Sequence, residues 1–489
     1  MITFVLIIYT VFVGILFFYS LHSFVLIYYY FHHKKNKQQS VEKKLENVPY
    51  VTVQLPVYNE RFVVHRLLKS VVELDYPRDK LEIQVIDDSD DETVAVLERL
   101  VACYSNQGFC IEHIRRGTRT GFKAGALQYG LERARGEFIA IFDADFIVPR
   151  YFLKEMLPEF RAANIGGVQA RWGHLNADSF LTRSQAISLD NHFAMEQRLR
   201  SYAGCFISFN GTCGVWSKQA VIEAGGWHGD TLAEDLDLSY RVQLKGWSIK
   251  YRNDIIVDGE LPANAYGYRI QQNRWAKGTV QVARKLLPLI WRSSLRPFAK
   301  YESFVHLTCH VNFVAMLGLA VFSIPIVYFK IAGIVPDAYF IALSFCTIGA
   351  FGYPVSYYLS QRDSYRDYKR RIPFIFGVIS YSMGLSVSNT KAIIEGLFDK
   401  GHIFVRTPKT GGTSKSYLPT ARSIIPLLEV LLGLYMCVGL VYVTAHVQLI
   451  LVPFLLLYAI GFLSMGFSSL FDGIRMLHTP EVLCSKKSS

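Results

Sequence analysis

Closely spaced carboxylates at predicted strand ends are the residues of this chain most suited to chemistry. Asp143 and Asp145 follow the apolar run 138–142, which is typical of a buried strand. Carboxylates this close repel each other, and a divalent cation with oxygen ligands removes the repulsion and can also bridge a diphosphate. Two aspartates two positions apart also occur by chance. The strand context favours a metal site at Asp143 and Asp145.

A second acidic pair, Asp87 and Asp88, ends the predicted strand 81–86. Two interpretations are open from the local sequence. One is a turn or helix cap, because Asp and Ser favour these positions and residues 89–92 continue the polar run. The other is contact with the base and ribose of a nucleotide.

A lysine lies at the start of the predicted helix 122–134. Lys123 lies between Gly121 and Gly125, and a helix start of this kind lets a phosphate come close. A solvated surface lysine explains the same pattern without a ligand. Both interpretations remain open, and the functional one is contact with a nucleotide.

A third acidic cluster precedes the predicted helix 238–244. Glu234, Asp235 and Asp237 would complement the positive end of the helix dipole, and this can be the whole role of Glu234 or Asp237. Attack by a sugar hydroxyl on an anomeric carbon also needs a base to take the proton. One carboxylate suffices for a single inverting displacement, and we assign this role to Asp235.

An aromatic signature follows in another predicted helix. Trp275 either packs into the core or offers a flat face on which an acceptor sugar rests. In the second case Gln271 and Arg274, on the same helix, would lie near the diphosphate of the nucleotide sugar that donates the transferred group.

Short strand-like runs alternate with helical ones from residue 50 to about 278. This alternation predicts an α/β fold with a mostly parallel sheet covered by helices, in which ligands bind beyond the carboxyl ends of strands. Both acidic pairs would lie at such ends. The predicted strands are 51–55, 81–86, 109–114 and 138–142, and the predicted helices between and after them are 61–74, 92–104 and 122–134.

Apolar runs of membrane-spanning length flank this polar stretch. The chain is 51% hydrophobic and 19% charged, which fits one polar domain plus several spans. Residues 1–31 contain no Lys, Arg, Asp or Glu, which predicts an uncleaved span followed by the polar linker 32–49. The net charge is +12, and the basic residues cluster beside apolar runs, as they do in membrane proteins. This distribution indicates no nucleic-acid partner. The eight cysteines form no CxxC pair, which argues against a zinc site or a disulfide framework.

The carboxyl-terminal half predicts a membrane region, 304–470. A basic, aromatic segment at 281–303 predicts helices on the membrane surface. The positive-inside rule favours five crossings in total, with 372–398 in the interface, and six crossings are the alternative. We therefore expect a multi-pass protein whose catalytic domain, 50–280, is cytoplasmic, as are the loop 399–422 and the tail 471–489. The apolar runs are 304–329, 337–360, 372–390, 424–443 and 447–470.

The order and spacing of these motifs resemble the family 2 glycosyltransferases of GT-A (Rossmann-like) fold. The resemblance covers most of residues 50–290 and is closest to the cellulose-synthase-like mannan and glucomannan synthases. The segments that carry it are Phe209–Trp216, Ala224–Trp227, Ala233–Asp237, Leu244–Trp247, Glu260–Pro262 and Gln271–Trp275. Ala233 stands where the family has Thr, which leaves the acids in place.

The resemblance implies a membrane-bound inverting hexosyltransferase that uses Mn²⁺ or Mg²⁺. The donor would be GDP-mannose or UDP-glucose, and the acceptor a growing β-linked glycan that is extended processively and exported. The alternative is single addition to a lipid acceptor, as in ceramide glucosyltransferase. A transporter without chemistry has no use for the acidic set. We expect the cell membrane, or the Golgi in a eukaryote, as the location.

The resemblance also implies roles for individual residues. Nucleotide or donor contacts fall to Asp87, Asp88, Lys123, Gln271 and Arg274, metal binding to Asp143 and Asp145, the base to Asp235, and acceptor contacts to Trp275, Asn210, Gly211, Thr212 and Glu234. A looser match assigns a gating loop to Phe404, Arg406, Thr407 and Lys409. Arg406 stands there in place of the family's Val.

Overall fold

Seven strands form one sheet at the centre of the polar domain. The structure is a computed structural model that describes residues 2–33, 47–398, 406–407, 409 and 423–477. The sheet has the order β3-β2-β1-β4-β6-β5-β7. The strands are β1 (Val51–Val57), β2 (Leu81–Asp87), β3 (Ile111–Arg115), β4 (Phe138–Ile141), β5 (Ile165–His174), β6 (Gly214–Ser217) and β7 (Ser248–Gly259).

The first four strands are mutually parallel, as predicted. β1 pairs in parallel with β2 and β4, and β2 with β3. Val57 and Asp87 are register partners, so that β1 and β2 end at the same level. β6 runs antiparallel between β4 and β5, and β7 is parallel to β5. The predicted α/β class is confirmed, with a mixed sheet whose last three strands lie outside the predicted set.

Helices cover both faces of this sheet. In the polar domain they are α2 (Val64–Val72), α3 (Thr93–Asn106), α4 (Phe122–Arg133), α5 (Phe152–Met156), α6 (Phe180–Asn191), α7 (Arg198–Tyr202), α8 (Lys218–Glu223) and α9 (Glu234–Leu244). A π-helical turn, His192–Gln197, joins α6 to α7. The 3₁₀ turns are Arg78–Lys80, Leu157–Arg161, Phe345–Phe351 and Leu449–Leu451.

Two apolar cores lie on opposite faces of the sheet. Ala140 of β4 belongs to the core that contains Leu67 of α2, whereas its neighbours Ile139 and Ile141 belong to the core that contains Leu127 of α4. Successive side chains of a strand point to opposite faces, which explains the division. Because both faces are covered, β1 and β2 are buried along almost their whole length, although apolar and polar residues alternate in both strands. The buried polar side chains pair between the strands, since Thr52 donates to Glu82 at 2.6 Å and Gln54 to Gln84 at 3.1 Å.

Long helices lie before and after the polar domain. They are α1 (Ile2–His33), α10 (Ala265–Arg292), α11 (Pro297–Thr308), α12 (Val311–Ile331), α13 (Asp337–Ser344), α14 (Gly352–Ser364), α15 (Tyr368–Arg371), α16 (Pro373–Gly384), α17 (Ser386–Phe398), α18 (Ile425–Ala445) and α19 (Val452–Leu477). α10 continues through residue 280, where the sequence predicts a domain boundary, and ends at Arg292 with Pro288 inside it.

Several of these helices indicate a membrane protein. Five segments of the described residues are long and apolar enough to cross a membrane. A sixth candidate consists of two helices bent by 52°, Tyr368–Gly384 and Ser386–Phe398, if the pair is counted as one span. The bend falls in the run that is predicted to lie in the interface. The five segments are Ile2–His32, Val311–Ile331, Asp337–Ser364, Ile425–Ala445 and Leu449–Asp472.

α10 connects the polar domain to the apolar helices. Arg269, near its start, forms an ion pair with Glu429 of α18 at 2.5 Å, and both side chains are buried. The guanidinium of Arg269 also donates to the carbonyl of Met465 on α19 at 3.3 Å. The helix that carries Gln271, Arg274 and Trp275 is therefore fixed against two candidate spans.

Candidate active site

A cleft opens beyond the carboxyl ends of the strands. Its empty volume, including the solvent at its mouth, is about 1330 Å³. Most of the predicted site residues line it, namely Asp88, Lys123, Asp143, Asp145, Asn210, Gly211, Glu234, Asp235, Gln271, Arg274, Trp275, Arg406, Thr407 and Lys409. Asp87 and Thr212 lie behind its wall, and Phe404 lies outside the described residues. Strand ends of an α/β sheet are where such ligand sites form.

The acidic pair after β4 faces two lysines. Lys123 Nζ lies 2.5 Å from Asp143 Oδ1 and donates to the carbonyl of Gly211 at 2.9 Å. Lys409 Nζ lies 2.6 Å from Asp145 Oδ2. Burial lowers the pKa of Lys123, but Asp143 and Glu234 outweigh this effect and raise the pKa above its ordinary value. Lys123 thus stays charged at the bottom of the cleft.

The two carboxylates are a donor set that suits a hard divalent cation. Each carboxylate already has a positive group beside one of its oxygens, Lys123 beside Asp143 and Lys409 beside Asp145, so that both are placed to interact with positive charge. The side chain of Asp143 is 33% exposed and can reach a ligand in the cleft. Mn²⁺ and Mg²⁺ prefer such oxygen ligands. The residues therefore fit the predicted metal.

The two aspartates at the end of β2 lie in different environments. Asp87 is fully buried, where its carboxylate accepts from the Ser89 N–H at 2.9 Å and lies 2.9 Å from His113 Nε2. Burial acts to raise the pKa of Asp87, and the bonds from His113 and Ser89 outweigh it, so that the pKa is lowered. Asp88 lines the cleft and accepts two hydrogen bonds from Arg116. The contacts of Asp87 fit the turn interpretation, and Asp88 lines the cleft, where a ligand can reach it.

The acidic cluster begins α9, and its members lie in different environments. Asp235 and Glu234 line the cleft. Burial first, and then the negative charge of Glu234, raise the pKa of Asp235 to about 7. Such a carboxylate accepts a proton more readily than an ordinary aspartate does. The neighbouring backbone at Gly211 leaves room for it, because a Cβ on Gly211 would lie 2.9 Å from Asp235 Oδ2.

Asp237 faces away from the cleft and has a structural role. It is fully buried, Arg241 donates to it at 2.7 Å, and Lys285 Nζ lies 2.9 Å from its other oxygen. The same ammonium group donates to Asp230 at 2.9 Å and lies 3.1 Å from His228 Nδ1. Asp237, Asp230 and His228 have metal-like spacing, but Lys285 already provides the positive charge between them.

The aromatic signature on α10 also faces the cleft. Gln271, Arg274 and Trp275 occupy positions i, i+3 and i+4, which share one side of a helix, and all three line the site. Trp275 is half-buried and keeps part of its ring accessible. The interpretation in which this residue only fills the core is therefore not favoured.

The segment before β6 combines one cleft residue with two supports. Asn210 lines the cleft, and the Thr212 hydroxyl accepts from the backbone N–H of Asp143 at 2.8 Å. Thr212 is fully buried and stabilises the loop that carries the acidic pair. Gly211 adopts a positive φ of 76°, which L-residues with a side chain rarely adopt.

The described part of the predicted gating loop reaches the cleft from the far end of the chain. The Arg406 guanidinium forms two hydrogen bonds with Glu60, at 2.8 and 2.5 Å. Lys409 also donates to the carbonyl of Glu260 at 2.8 Å, and Arg66 Nη1 lies 2.6 Å from Glu260 Oε1. Glu60 lines the cleft and is a functional candidate that the sequence did not single out. The available signal was its position three residues past the end of β1.

The wall next to Asp88 contains two further residues that were missed. Tyr58 and Arg119 line the cleft, and the Arg119 guanidinium lies 3.3 Å from the centre of the Tyr58 ring. A guanidinium over an aromatic face is attracted by the ring quadrupole. Tyr58 directly follows β1, so that strand-end position was again the available signal.

The acidic pairs at the carboxyl edge of this sheet and the attached apolar helices fit the predicted membrane-bound transferase. A model of the family described as Glycosyltransferase like family 2 matches residues 49–278. Glucomannan 4-beta-mannosyltransferase 2 of Arabidopsis thaliana is 36% identical over 385 residues, which are 75% of this chain and 68% of that protein. Probable glucomannan 4-beta-mannosyltransferase 15 of the same plant is 32% identical over 455 residues, 88% of this chain and 80% of that protein. The chain belongs to glycosyltransferase family 2.

A solved structure shares the fold. The mannosyltransferase PcManGT from Pyrobaculum calidifontis, in complex with GDP-Man and Mn²⁺, superposes with a TM-score of 0.54 at 21% identity. The alignment covers 81% of this chain and all of that one. This superposition confirms the predicted GT-A type of fold, and the family match and the two relatives confirm the predicted transferase class.

Proposed function

We propose that this protein transfers a mannosyl group from GDP-mannose to a hydroxyl of a growing β-linked glycan, with inversion at the anomeric carbon. The observation that carries the proposal is that one cleft holds the acidic pair after β4, the Asp235 carboxylate and the Trp275 ring. GDP-mannose is favoured over UDP-glucose, because two relatives are named mannosyltransferases and the structural neighbour holds GDP-Man.

Asp235 is the base in this proposal. Its carboxylate takes the proton from the attacking hydroxyl, and the pKa of about 7 gives it the basicity to do so near neutral pH. A single carboxylate at this position fits a one-step displacement. Glu234 raises the pKa of Asp235 and lines the same wall, where it can also contact the acceptor.

The charged residues of the cleft hold the donor. Asp143 and Asp145 would bind Mn²⁺ or Mg²⁺, which when bound neutralises the charge of the leaving diphosphate. Lys123 stays charged beside Asp143 and adds a second positive group. We assign the nucleotide contact to Asp88 and the diphosphate contacts to Gln271 and Arg274, all three of which line the cleft.

In this proposal the acceptor rests on Trp275 and also contacts Asn210 and Gly211, which line the same cleft. A flat aromatic face stacks well on a sugar ring, and an aromatic platform does not depend on chain length. We further propose that the chain crosses the membrane five times, with the cleft on the cytoplasmic side. The membrane-spanning helices then form the path by which the glycan leaves. The proposal includes processive extension and export of the glycan, and it assigns Arg406, Thr407 and Lys409 to a segment that closes over each donor.

The test is transfer by the purified full-length protein in lipid nanodiscs. Radiolabelled GDP-mannose and UDP-glucose are supplied separately with Mn²⁺, and the product is sized and its linkages are determined. We expect β-linked mannan from GDP-mannose. Transfer from UDP-glucose alone would overturn the donor assignment, and a product consisting only of lipid with one hexose would replace the synthase by the lipid-modifying alternative. Asp235→Asn serves as the catalytically impaired control.

A further inference from the structure

The side chain of Asn210 is held at both ends by one short turn. His192 Nε2 lies 3.0 Å from Asn210 Nδ2, and Gln197 Nε2 donates to Asn210 Oδ1 at 2.8 Å. Gln169 fixes the backbone, because its Oε1 accepts from the Asn210 N–H at 2.9 Å. Gln169 and Gln197 are fully buried, whereas Asn210 lines the cleft.

The helix type makes this double contact possible. His192 and Gln197 are the first and last residues of the π-helical turn, five positions apart. In an ordinary α-helix of about 3.6 residues per turn, residues five positions apart point about 140° away from each other and could not both contact one side chain. The i→i+5 hydrogen bonding of a π-turn brings them to one face. Such turns are frequent at functional sites.

The backbone of Ser208 determines the direction of every hydrogen bond in this group. Its N–H can only donate, and it donates to Gln197 Oε1 at 3.2 Å. The Gln197 amide nitrogen therefore faces the Ser208 carbonyl at 2.5 Å and Asn210 Oδ1. Asn210 must then turn its own amide nitrogen towards His192.

The same logic sets the tautomer of His192. Its Nε2 accepts from Asn210, so that the ring proton is on Nδ1, which lies 3.5 Å from Glu196 Oε2. Burial acts to raise the pKa of Glu196, but His192 and Arg200 outweigh it and lower the pKa to about 2. Glu196 therefore remains a carboxylate that orients the ring.

An amide has two N–H donors and two acceptor lone pairs. The protein uses one donor and one lone pair of Asn210, which leaves one of each for a ligand in the cleft. A vicinal pair of sugar hydroxyls matches this set, because each hydroxyl can both donate and accept.

We propose that His192 and Gln197 are positioning residues that orient the Asn210 carboxamide, so that its remaining N–H and lone pair bind two neighbouring hydroxyls of the acceptor sugar. The inference rests on the proposed function, since it assigns the ligand of Asn210 within the same transfer. A misoriented carboxamide would leave the acceptor hydroxyl displaced from Asp235, and water would take its place.

The test measures how the donor is partitioned between transfer and hydrolysis. Gln197→Met and His192→Phe remove the hydrogen bonds at similar volume, and GDP release is compared with mannose incorporated into glycan by the full-length protein. We expect transfer to fall about 10- to 100-fold, as for a small misplacement of reacting groups, with hydrolysis and the donor KM retained. Gln84→Met is the matched control, because it removes a buried amide bond, to Gln54 at 3.1 Å, that does not reach Asn210.

A double-mutant comparison separates positioning from stability. If Gln197 acts through Asn210, Gln197→Met adds no further loss of transfer to Asn210→Ala. Additive losses, an unchanged partition, or a changed donor KM would each overturn the proposal. His192→Phe keeps the proposal testable should Gln197→Met not fold, since it removes the other side-chain contact of Asn210 without placing a charge in the buried turn. Failure of the proposed function looks different, because the unmodified protein would then make no mannan.

Discussion

Lys409 Nζ lies 2.6 Å from Asp145 Oδ2, although the two residues are 264 positions apart in the chain. An ammonium group and a divalent cation compete for such an oxygen, because both are positive and both need to approach it closely. The segment around Lys409 and the metal pair after β4 are thereby coupled electrostatically.

The first prediction concerns this competition. Lys409→Gln should bind Mn²⁺ more tightly by about a factor of five or more, because one unit charge about 4 Å away is worth about 1 kcal/mol even in water. Electron paramagnetic resonance of Mn²⁺ with donor-free protein measures the affinity. Asp145→Ala should weaken binding, and Lys154→Gln, an exposed lysine paired with Asp75, is the neutral control. Equal affinity in Lys409→Gln and the unmodified protein would contradict the competition.

The second prediction concerns the base and its pH dependence. Because the pKa of Asp235 is raised to about 7, the active carboxylate form increases as the pH rises through 7. Turnover should rise over that interval and then level off. Asp235→Asn should lower turnover by about 10²–10⁴ and remove this rise, while donor binding persists. Steady-state rates across pH, with donor binding by equilibrium dialysis, provide the measurement; near-normal turnover in the variant would assign the base elsewhere.

The third prediction separates Asp237 from Asp235. Asp237→Asn breaks a buried contact with Arg241 and Lys285, and removing one partner of such a pair costs about 3–5 kcal/mol. The thermal midpoint should fall, whereas folded protein should keep its donor KM. Asp230→Asn is the matched control, because the Asp230 side chain is 57% exposed and its ion pair with Lys285 contributes about 0–1 kcal/mol. A stable but inactive Asp237→Asn protein would speak for a direct catalytic role.

The fourth prediction tests the close approach of Gly211 to the base. Gly211→Ala places a Cβ 2.9 Å from Asp235 Oδ2 at a positive φ of 76°. Turnover should fall because the new methyl group displaces the carboxylate, whereas the thermal midpoint should change only as much as in the control variant. Gly246→Ala is the control, since Gly246 has a φ of 92° and a Cβ added there would meet no heavy atom within 4 Å. Similar losses of turnover in both variants would contradict the prediction, because backbone strain of about 1–2 kcal/mol would then explain the effect.

The fifth prediction concerns the orientation in the membrane. With five crossings, single cysteines at Thr413 and Ser489 should be labelled from the same side as one at Ser40. A cysteine at Ala332, between α12 and α13, should be labelled from the opposite side. Impermeant maleimide on sealed vesicles, with reactive native cysteines removed, gives the readout. Labelling of Thr413 together with Ala332 would establish six crossings.

Local sequence patterns were sufficient for the parts of the site that depend on one strand or one helix. The apolar run before Asp143 predicted a strand end, and β4 delivers the acidic pair to the cleft. The spacing of Gln271, Arg274 and Trp275 predicted a shared helix, and all three side chains line the cleft from it. The family resemblance followed from the same motifs, and the comparisons confirm it.

Only the tertiary structure distinguished between neighbouring residues of one motif. Adjacent strand-end residues point to opposite faces, so that local sequence could not decide which of Asp87 and Asp88 lines the cleft. The same holds for Asn210, which lines the cleft, and Thr212, which supports the loop behind it.

Contacts between distant segments were also beyond local patterns. β5 and β7 pair although their first residues, Ile165 and Ser248, lie far apart in the chain, and the antiparallel β6 lies between strands of other segments. The π-turn that orients Asn210 has no distinctive local composition, and its role arises because Ser208 and Asn210 pack against it. The sequence by itself determined the chemical groups, the membrane-length helices and the strand ends. The packing of the chain decided which groups share the cleft, because that depends on side-chain direction and on contacts between residues far apart in sequence.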